Sequence, residues 1–287
     1  MKLLIISHAY QNAQYLPNLE SMAVLPRVEL VLLCPLNLKG ESCDWKSSNP
    51  IQKIAVPVRF GQRQGAFYYE PRKLASALDS MRPDVILHEQ EVYCLTATQV
   101  AIAAARRRIP LTMFVWENTP RSLLLPRAKL RSFVLGKASG LIAGSSEAER
   151  IHQAWGYRGF SCVIPQMGVQ INESPRIGRR DAHHLRVCFV GRLEKCKGVD
   201  CLLRALQQLH GNRVRFHCVI AGTGPEREHL ASLASRLAIR EQVEFPGQLP
   251  GCQVRRLMSE NDVLVLPSRT TRNWTEQFGR VLTEAMA

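Results

Sequence analysis

No apolar run in this chain approaches the roughly 18–20 residues that would cross a bilayer. The amino terminus, Met-Lys-Leu-Leu-Ile-Ile-Ser-His, offers four apolar residues before polar ones, too few for the core of a signal peptide. Both absences point to the cytoplasm. The nine cysteines include no CxxC pair. Several of them (Cys34, Cys188, Cys218) fall inside apolar runs and read as small buried hydrophobes in a reducing compartment, and no metal site is read from them. No aromatic platform or nucleic-acid-binding motif is present, so a nucleic-acid partner is not expected. Acidic side chains are scarce: 24 Asp and Glu against 38 Lys and Arg leave a net charge of +14 and a pI near 9.7. That balance favours anionic partners such as phosphorylated substrates or acidic lipid, although a generally basic surface kept for solubility is an open alternative.

What the chain does have is rhythm. Its 287 residues suit two domains, each able to bury a core. Short apolar runs that read as strands (Leu3–Ser7, Val28–Cys34, Lys53–Val58, Asp84–His88, Leu111–Trp116, Gly140–Ala143, Ser161–Ile164) alternate with helical patterns. One is Glu70–Met81, where Leu74, Ala77, Leu78 and Met81 share a face. The polar stretch Asn172–His184 interrupts this alternation. The reading is therefore a first domain at 1–170, a linker at 171–184 and a second domain at 185–287, where the rhythm restarts. Strands alternating with helices imply α/β architecture with parallel sheets. Two such halves with a cleft between them would take ligands at the strand carboxyl ends. The last helix stops at Ala287 without a cap, and its apolar face has no following strand to pack on, so the second domain reads as incomplete.

Two constellations carry chemistry. The first is Glu276 and Glu284, read as lying on the start of one helix with Asn273 as N-cap and Glu276 at the third position. Eight helical steps would separate the carboxylates by roughly 12 Å, about the reach from a sugar across a diphosphate to a ribose. Phe278 and Gly279 would present backbone N–H groups at the positive helix end. Taken alone, the motif also reads as Glu276 complementing the helix dipole while Glu284 stays solvated. The second is Gly191-Arg192-Leu-Glu-Lys-Cys-Lys197-Gly198, leaving a strand. Arg192 offers a fork and Lys197 a point charge, a pair that could clamp a diphosphate in place of a metal ion, or could simply be surface cations.

Taken in order, Gly-Arg-Leu-x4-Gly, Ile220-Ala-Gly222-x-Gly224-Pro225, Val263-x-Val-x-Pro267-Ser268 and Glu-x7-Glu form a string. It resembles the donor half of the retaining group-1 (family 4) glycosyltransferases, whose fold is GT-B: two Rossmann-like domains facing across a cleft. The similarity is strong over 186–287. It is weaker over 1–170, where Arg82-Pro-Asp-Val-Ile-Leu-His88, Gly140-Leu-Ile-Ala-Gly-Ser145 and Val163-Ile-Pro165 look like the acceptor half. The resemblance implies transfer of a sugar from a nucleotide-diphosphate sugar to a saccharide or lipid-linked acceptor, with retention and without a cofactor or metal. By that similarity Arg192 and Lys197 hold the diphosphate, Glu276 meets sugar hydroxyls, Phe278 and Gly279 supply N–H groups, Gly191 admits the donor, and Glu284 binds the ribose. His88, at a strand end, takes the place of an acceptor-side histidine, or is a structural histidine.

There are departures too. The loop Ser7-His-Ala-Tyr-Gln-Asn12 lacks the Gly-Gly many members carry there, and the family continues past Ala287, so the donor pocket reads as lacking a wall and an inactive chain is one expectation. The acceptor is unread, its determinants falling in 8–15, 36–66 and 117–126. Gly222-Thr-Gly224-Pro-Glu-Arg227 only begins like a dinucleotide fingerprint, and Asn273-Trp-Thr275 is a sequon without meaning in the cytosol. The stretch Arg121–Lys137 interleaves leucines with five cations. It reads either as a contact with an anionic membrane surface, fitting an envelope-polysaccharide or glycolipid acceptor, or as a packed helix with a solvated basic face. A GT-B-fold epimerase or phosphorylase, and a non-catalytic sugar-nucleotide or membrane-binding module, remain the alternatives.

Overall fold

Apolar pentads bounded by turn residues become strands, and amphipathic stretches between them become covering helices. The computed structural model describes residues 1–11, 16–38, 51–62, 65–165, 168, 184–272 and 274–287. Most of the 171–184 linker and the Asn273 cap lie outside the described residues. The chain divides into two compact units, Met1–Gly168 and Val169–Ala287.

In the first unit the elements are β1 (Lys2–Ser7), α1 (Leu16–Ala23), β2 (Glu29–Pro35), β3 (Gln52–Val56), β4 (Val58–Arg59), β5 (Tyr68–Tyr69), α2 (Pro71–Met81) and β6 (Val85–Glu89). They continue as α3 (Leu95–Arg107), β7 (Leu111–Val115), α4 (Leu125–Lys137), β8 (Gly140–Ala143), α5 (Ser146–Ala154) and β9 (Phe160–Val163). Seven strands pair in the order β3-β2-β1-β6-β7-β8-β9, all parallel. The short β4 and β5 form an antiparallel pair beside them. The pleat divides β1 between two cores: Leu4 and Ile6 join Val31, Leu33 and Ile86 on one face, and Ile5 joins Leu30, Leu32 and Cys34 on the other.

Helix α2 buries Leu74, Leu78 and Met81, each burial contributing about 1.5–3 kcal/mol before ordering costs. It stops where Arg82 turns left-handed (φ 45°) and gives its N–H to Leu78 O at 3.0 Å, just ahead of Pro83. Helix α5 starts on a side-chain cap: Ser145 Oγ accepts the Ala148 N–H at 3.1 Å.

The second unit runs β10 (Leu185–Val190), α6 (Val199–Gly211), β11 (Phe216–Ala221), α7 (Arg227–Arg236), β12 (Val243–Gly247), α8 (Gly251–Glu260), β13 (Val263–Leu264) and α9 (Arg280–Met286). Its four strands pair in parallel in the order β12-β11-β10-β13. Val187 and Phe189 of β10, Leu203 and Leu206 of α6 and Leu230 of α7 lie in one core. Cys34, Cys188 and Cys218 are fully buried.

In each sheet the first strand lies between neighbours reached in opposite directions, β2 and β6 around β1, and β11 and β13 around β10. In sheets of this kind the loops leaving the carboxyl ends part at that point, the place where ligands are taken.

Candidate functional site

At the switch point of the second unit, two loops meet. One leaves β10 and runs through Gly191–Gly198. The other leaves β13 and runs through Pro267 to Gly279. Their meeting puts Lys197 Nζ 2.7 Å from Glu276 Oε2, with the side chains 13% and 28% exposed. Ser268 Oγ donates to the same oxygen at 2.7 Å, and the Gly279 N–H also donates to this carboxylate. Partial burial raises the Glu276 pKa. The hydrogen bonds from Lys197, Ser268 and Gly279 outweigh it and hold the carboxyl below its ordinary value. On its other side the Lys197 ammonium lies 4.8 Å from the centroid of the Trp274 ring.

Glycines make this approach of loops feasible. A Cβ on Gly222 (φ 141°) would stand 1.8 Å from Gly191 O, and one on Gly198 (φ 66°) would stand 2.0 Å from Pro267 O. The glycines in both motifs are thus places where one backbone passes against another.

The expected geometry needs correcting at the last helix. Helix α9 begins at Arg280, after Gly279 turns left-handed at φ 67°. Glu276 therefore lies in the loop before the helix, and the eight-step, 12 Å spacing along one axis to Glu284 does not hold. The Gly279 N–H already serves Glu276, so it is not open to an anion as expected. Phe278 precedes the helix, partly buried. Glu284 pairs with Arg280 one turn back, at 2.7 Å.

Arg192 leaves the end of β10 with its side chain 71% exposed and pairs with Glu194 at 2.8 Å. Gly191 continues the strand ladder through its N–H to Ala221 O at 3.0 Å. Of the expected site residues, Lys197, Glu276 and Gly279 are brought into one hydrogen-bonded group, while Arg192 and Glu284 each hold a local partner instead. Trp274, Ser268, Asp200 and Arg269 complete the surroundings and were not read as site residues. The signal for Trp274, Ser268 and Arg269 is a run between Ser268 and Glu276 dense in Arg, Thr and Trp.

His88 belongs to the first unit, paired in register with Ile6 of β1. It is buried, with Nδ1 3.0 Å from Ile6 O and Nε2 without a partner among the described residues. Burial drives its pKa down to about 4, so the ring is neutral at pH 7.

A second polar group spans the loops after β6 and β7. Glu91 accepts the Trp116 N–H at 2.9 Å, and Glu117 accepts from the Tyr93 hydroxyl at 2.8 Å and pairs with Arg121 at 2.5 Å. The fully buried His152 places Nε2 3.9 Å from Glu91 Oε2. Burial pushes the Glu91 carboxyl up to about 7, against backbone N–H groups that pull it down.

Comparison with known proteins follows this division. Residues 170–287 match the family model for glycosyl transferases group 1. The putative colanic acid biosynthesis glycosyltransferase WcaL of Escherichia coli is 33% identical over 127 residues, 44% of this chain and 31% of that protein. The match thus spans less than a third of the length of that relative. Among solved structures, the lipopolysaccharide outer core galactosyltransferase WaaB has a TM-score of 0.70 at 16% identity, covering 100% of this chain and 78% of the other. HepE of Anabaena, solved with UDP and glucose, has a TM-score of 0.66 at 20% identity, covering 100% and 78%. At such identities the likeness shows the fold: α/β units of the kind found in GT-B glycosyltransferases, along the whole chain.

Proposed function

We propose that this chain works as a retaining, metal-independent glycosyltransferase of group 1. It would move a sugar from a nucleotide-diphosphate sugar to a saccharide or lipid-linked acceptor, in envelope polysaccharide or glycolipid synthesis. The observation that carries the reading is the convergence of Lys197 and Glu276 at the switch point of the unit whose sequence matches the family. One cation and one ionised carboxylate stand there side by side, the pair that a phosphorylated sugar needs at its two ends.

In this reading Lys197 and the exposed Arg192 face the diphosphate. As the bond from the sugar's anomeric carbon to the phosphate oxygen breaks, its electron pair goes to that oxygen, and the two cations offset the charge. They supply the positive charge that a metal ion would otherwise bring. The acceptor hydroxyl bonds to the same face of the carbon, and its proton passes to the leaving phosphate. Glu276, kept ionised by its three donors, takes hydrogen bonds from sugar hydroxyls. Glu284 serves the ribose only if its pairing with Arg280 gives way. Neutral His88 donates Nδ1–H to Ile6 O and so keeps an acceptor lone pair on Nε2, which would serve an acceptor only if the buried ring becomes accessible.

The basic, leucine-bearing helix α4 is proposed to rest on anionic lipid at the cytoplasmic face. No helix among the described residues is long and apolar enough to cross a membrane.

A thermal-shift titration with UDP-, GDP-, ADP- and dTDP-sugars tests the donor site. One nucleotide should raise the melting temperature of the parent and fail to raise that of Arg192→Ala. A cooperative melt unmoved by every nucleotide sugar would count against the proposal.

A further inference from the structure

We infer that Trp274 is a positioning residue, holding the Lys197 ammonium against Glu276 through the face of its indole ring. The significance of this contact for a donor rests on the reading of Lys197 given above.

Three observations carry it. First, the Lys197 Nζ has two partners, Glu276 Oε2 at 2.7 Å and the Trp274 ring, whose centroid is 4.8 Å away. A lysine stem has four rotatable bonds and loses considerable freedom when fixed, so a second attraction matters to where the charge resides.

Second, the segment that carries Trp274 is tied down at Arg269, Thr270, Thr271 and Thr275. The Arg269 N–H donates to Cys196 O at 2.8 Å, one residue from Lys197. The Arg269 guanidinium pairs with Asp200 at 2.5 Å, at the start of α6. Thr270 and Thr275 share a hydroxyl contact of 2.8 Å. The Thr271 N–H donates to Trp274 O at 2.7 Å, closing an isolated antiparallel bridge. The loop is thus fastened to the same turn that carries Lys197.

Third, the partly buried indole is not among the described side chains packed into the hydrophobic core of this unit, and its ring faces the ammonium.

The test uses the whole chain with its lysines dimethylated by reductive [13C]methylation, which keeps the charge. The Lys197 signal is assigned with Lys197→Arg. An indole face over the ammonium shifts that signal through its ring current. The shift should persist, reduced, in Trp274→Phe and vanish in Trp274→Leu, with the other lysine signals unmoved.

In parallel, UDP, GDP, ADP and dTDP are titrated by calorimetry. The nucleotide that binds the parent should bind Trp274→Leu about 3- to 30-fold more weakly and Trp274→Phe in between. A Lys197 signal that is the same in parent and Trp274→Leu overturns the inference, as does equal affinity of those two for the nucleotide. If no diphosphate binds the parent while the ring-current shift follows the variants as described, the positioning role stands and the donor reading of Lys197 falls.

Discussion

Lys197 and Glu276 form an ion pair of 2.7 Å across 79 positions of sequence, made because β10 and β13 are neighbours in the sheet. The pair is partly buried, between the exposed case, where an ion pair contributes little, and the buried case, where losing one partner strands the other. Lys197→Met and Glu276→Gln should each destabilise the chain by about 1–3 kcal/mol. A double-mutant cycle by urea denaturation should show that the losses do not add. In a transfer assay Glu276→Gln should lower the rate by about 100-fold or more, an effect of the size seen when one positioned group is removed from a developing charge. Additive stabilities would show that the two side chains are not coupled in solution.

Gly222→Ala should be far more damaging than its size suggests. The added methyl meets Gly191 O at 1.8 Å, at a φ of 141° that side chains rarely adopt. Neither obstacle is the movable end of a side chain, so strands β10 and β11 must separate at their carboxyl ends. A loss of about 3 kcal/mol or more is expected. Gly211→Ala, at the end of α6 with nothing within 4 Å of the added atom, serves as the control and should change stability by less than about 1 kcal/mol.

How much of this was legible beforehand depended on whether the physics was local. The parallel strands were, because runs such as Leu111–Val115 and Leu185–Val190 have no other way to hide their side chains. The final helix was not. Residues 276–286 keep helical apolar spacing, and periodicity does not register that Gly279 adopts a left-handed turn in their midst. Gly279 itself was the available sign. At the site, the meeting of Lys197 with Glu276 was accessible only as a family resemblance, since sheet order brings them together. The pairing of Glu284 with Arg280 was readable from their spacing of four. Trp274 passed as part of a sequon because its partner, Lys197, is distant in sequence.

The first unit should show two opposed pH dependences. Burial raises Glu91 to about 7, above the 4.5 of a free carboxyl, so the folded state holds that proton more tightly. Its contribution is full below pH 4.5 and is lost as pH rises through 7. Burial lowers His88 to about 4 and lowers His152 as well. Their contributions are full above the ordinary histidine value near 6.5 and are lost as pH falls. Glu91→Gln should therefore flatten the loss of stability between pH 4.5 and 7.5, a difference of up to about 3 kcal/mol. His88→Gln should soften the loss between pH 6.5 and 4. Chemical denaturation across pH 4–8 measures both. A parent and Glu91→Gln with parallel profiles would mean that Glu91 titrates normally.

The start of helix α4 presents its N-cap Leu124 and its first residue Leu125 at 81% and 78% exposure, with Arg127, Lys129 and Lys137 exposed along the same stretch. Two of the five cations in this stretch are committed elsewhere: Arg121 pairs with Glu117, and Arg131 lies over the Trp155 ring at 5.0 Å. Three cations near an anionic surface contribute about 1 kcal/mol each, and the two leucines add apolar burial. Sedimentation with vesicles containing phosphatidylglycerol should therefore capture the chain, and vesicles of phosphatidylcholine alone should not. Charge reversal of Arg127 and Lys129 to Glu should reduce capture by about 10-fold or more, and 0.5 M salt should do the same by screening. Arg131→Gln should leave capture unchanged, because that guanidinium is held against Trp155. Equal loss from Arg131→Gln would show instead that the helix meets lipid only after the Trp155 contact opens.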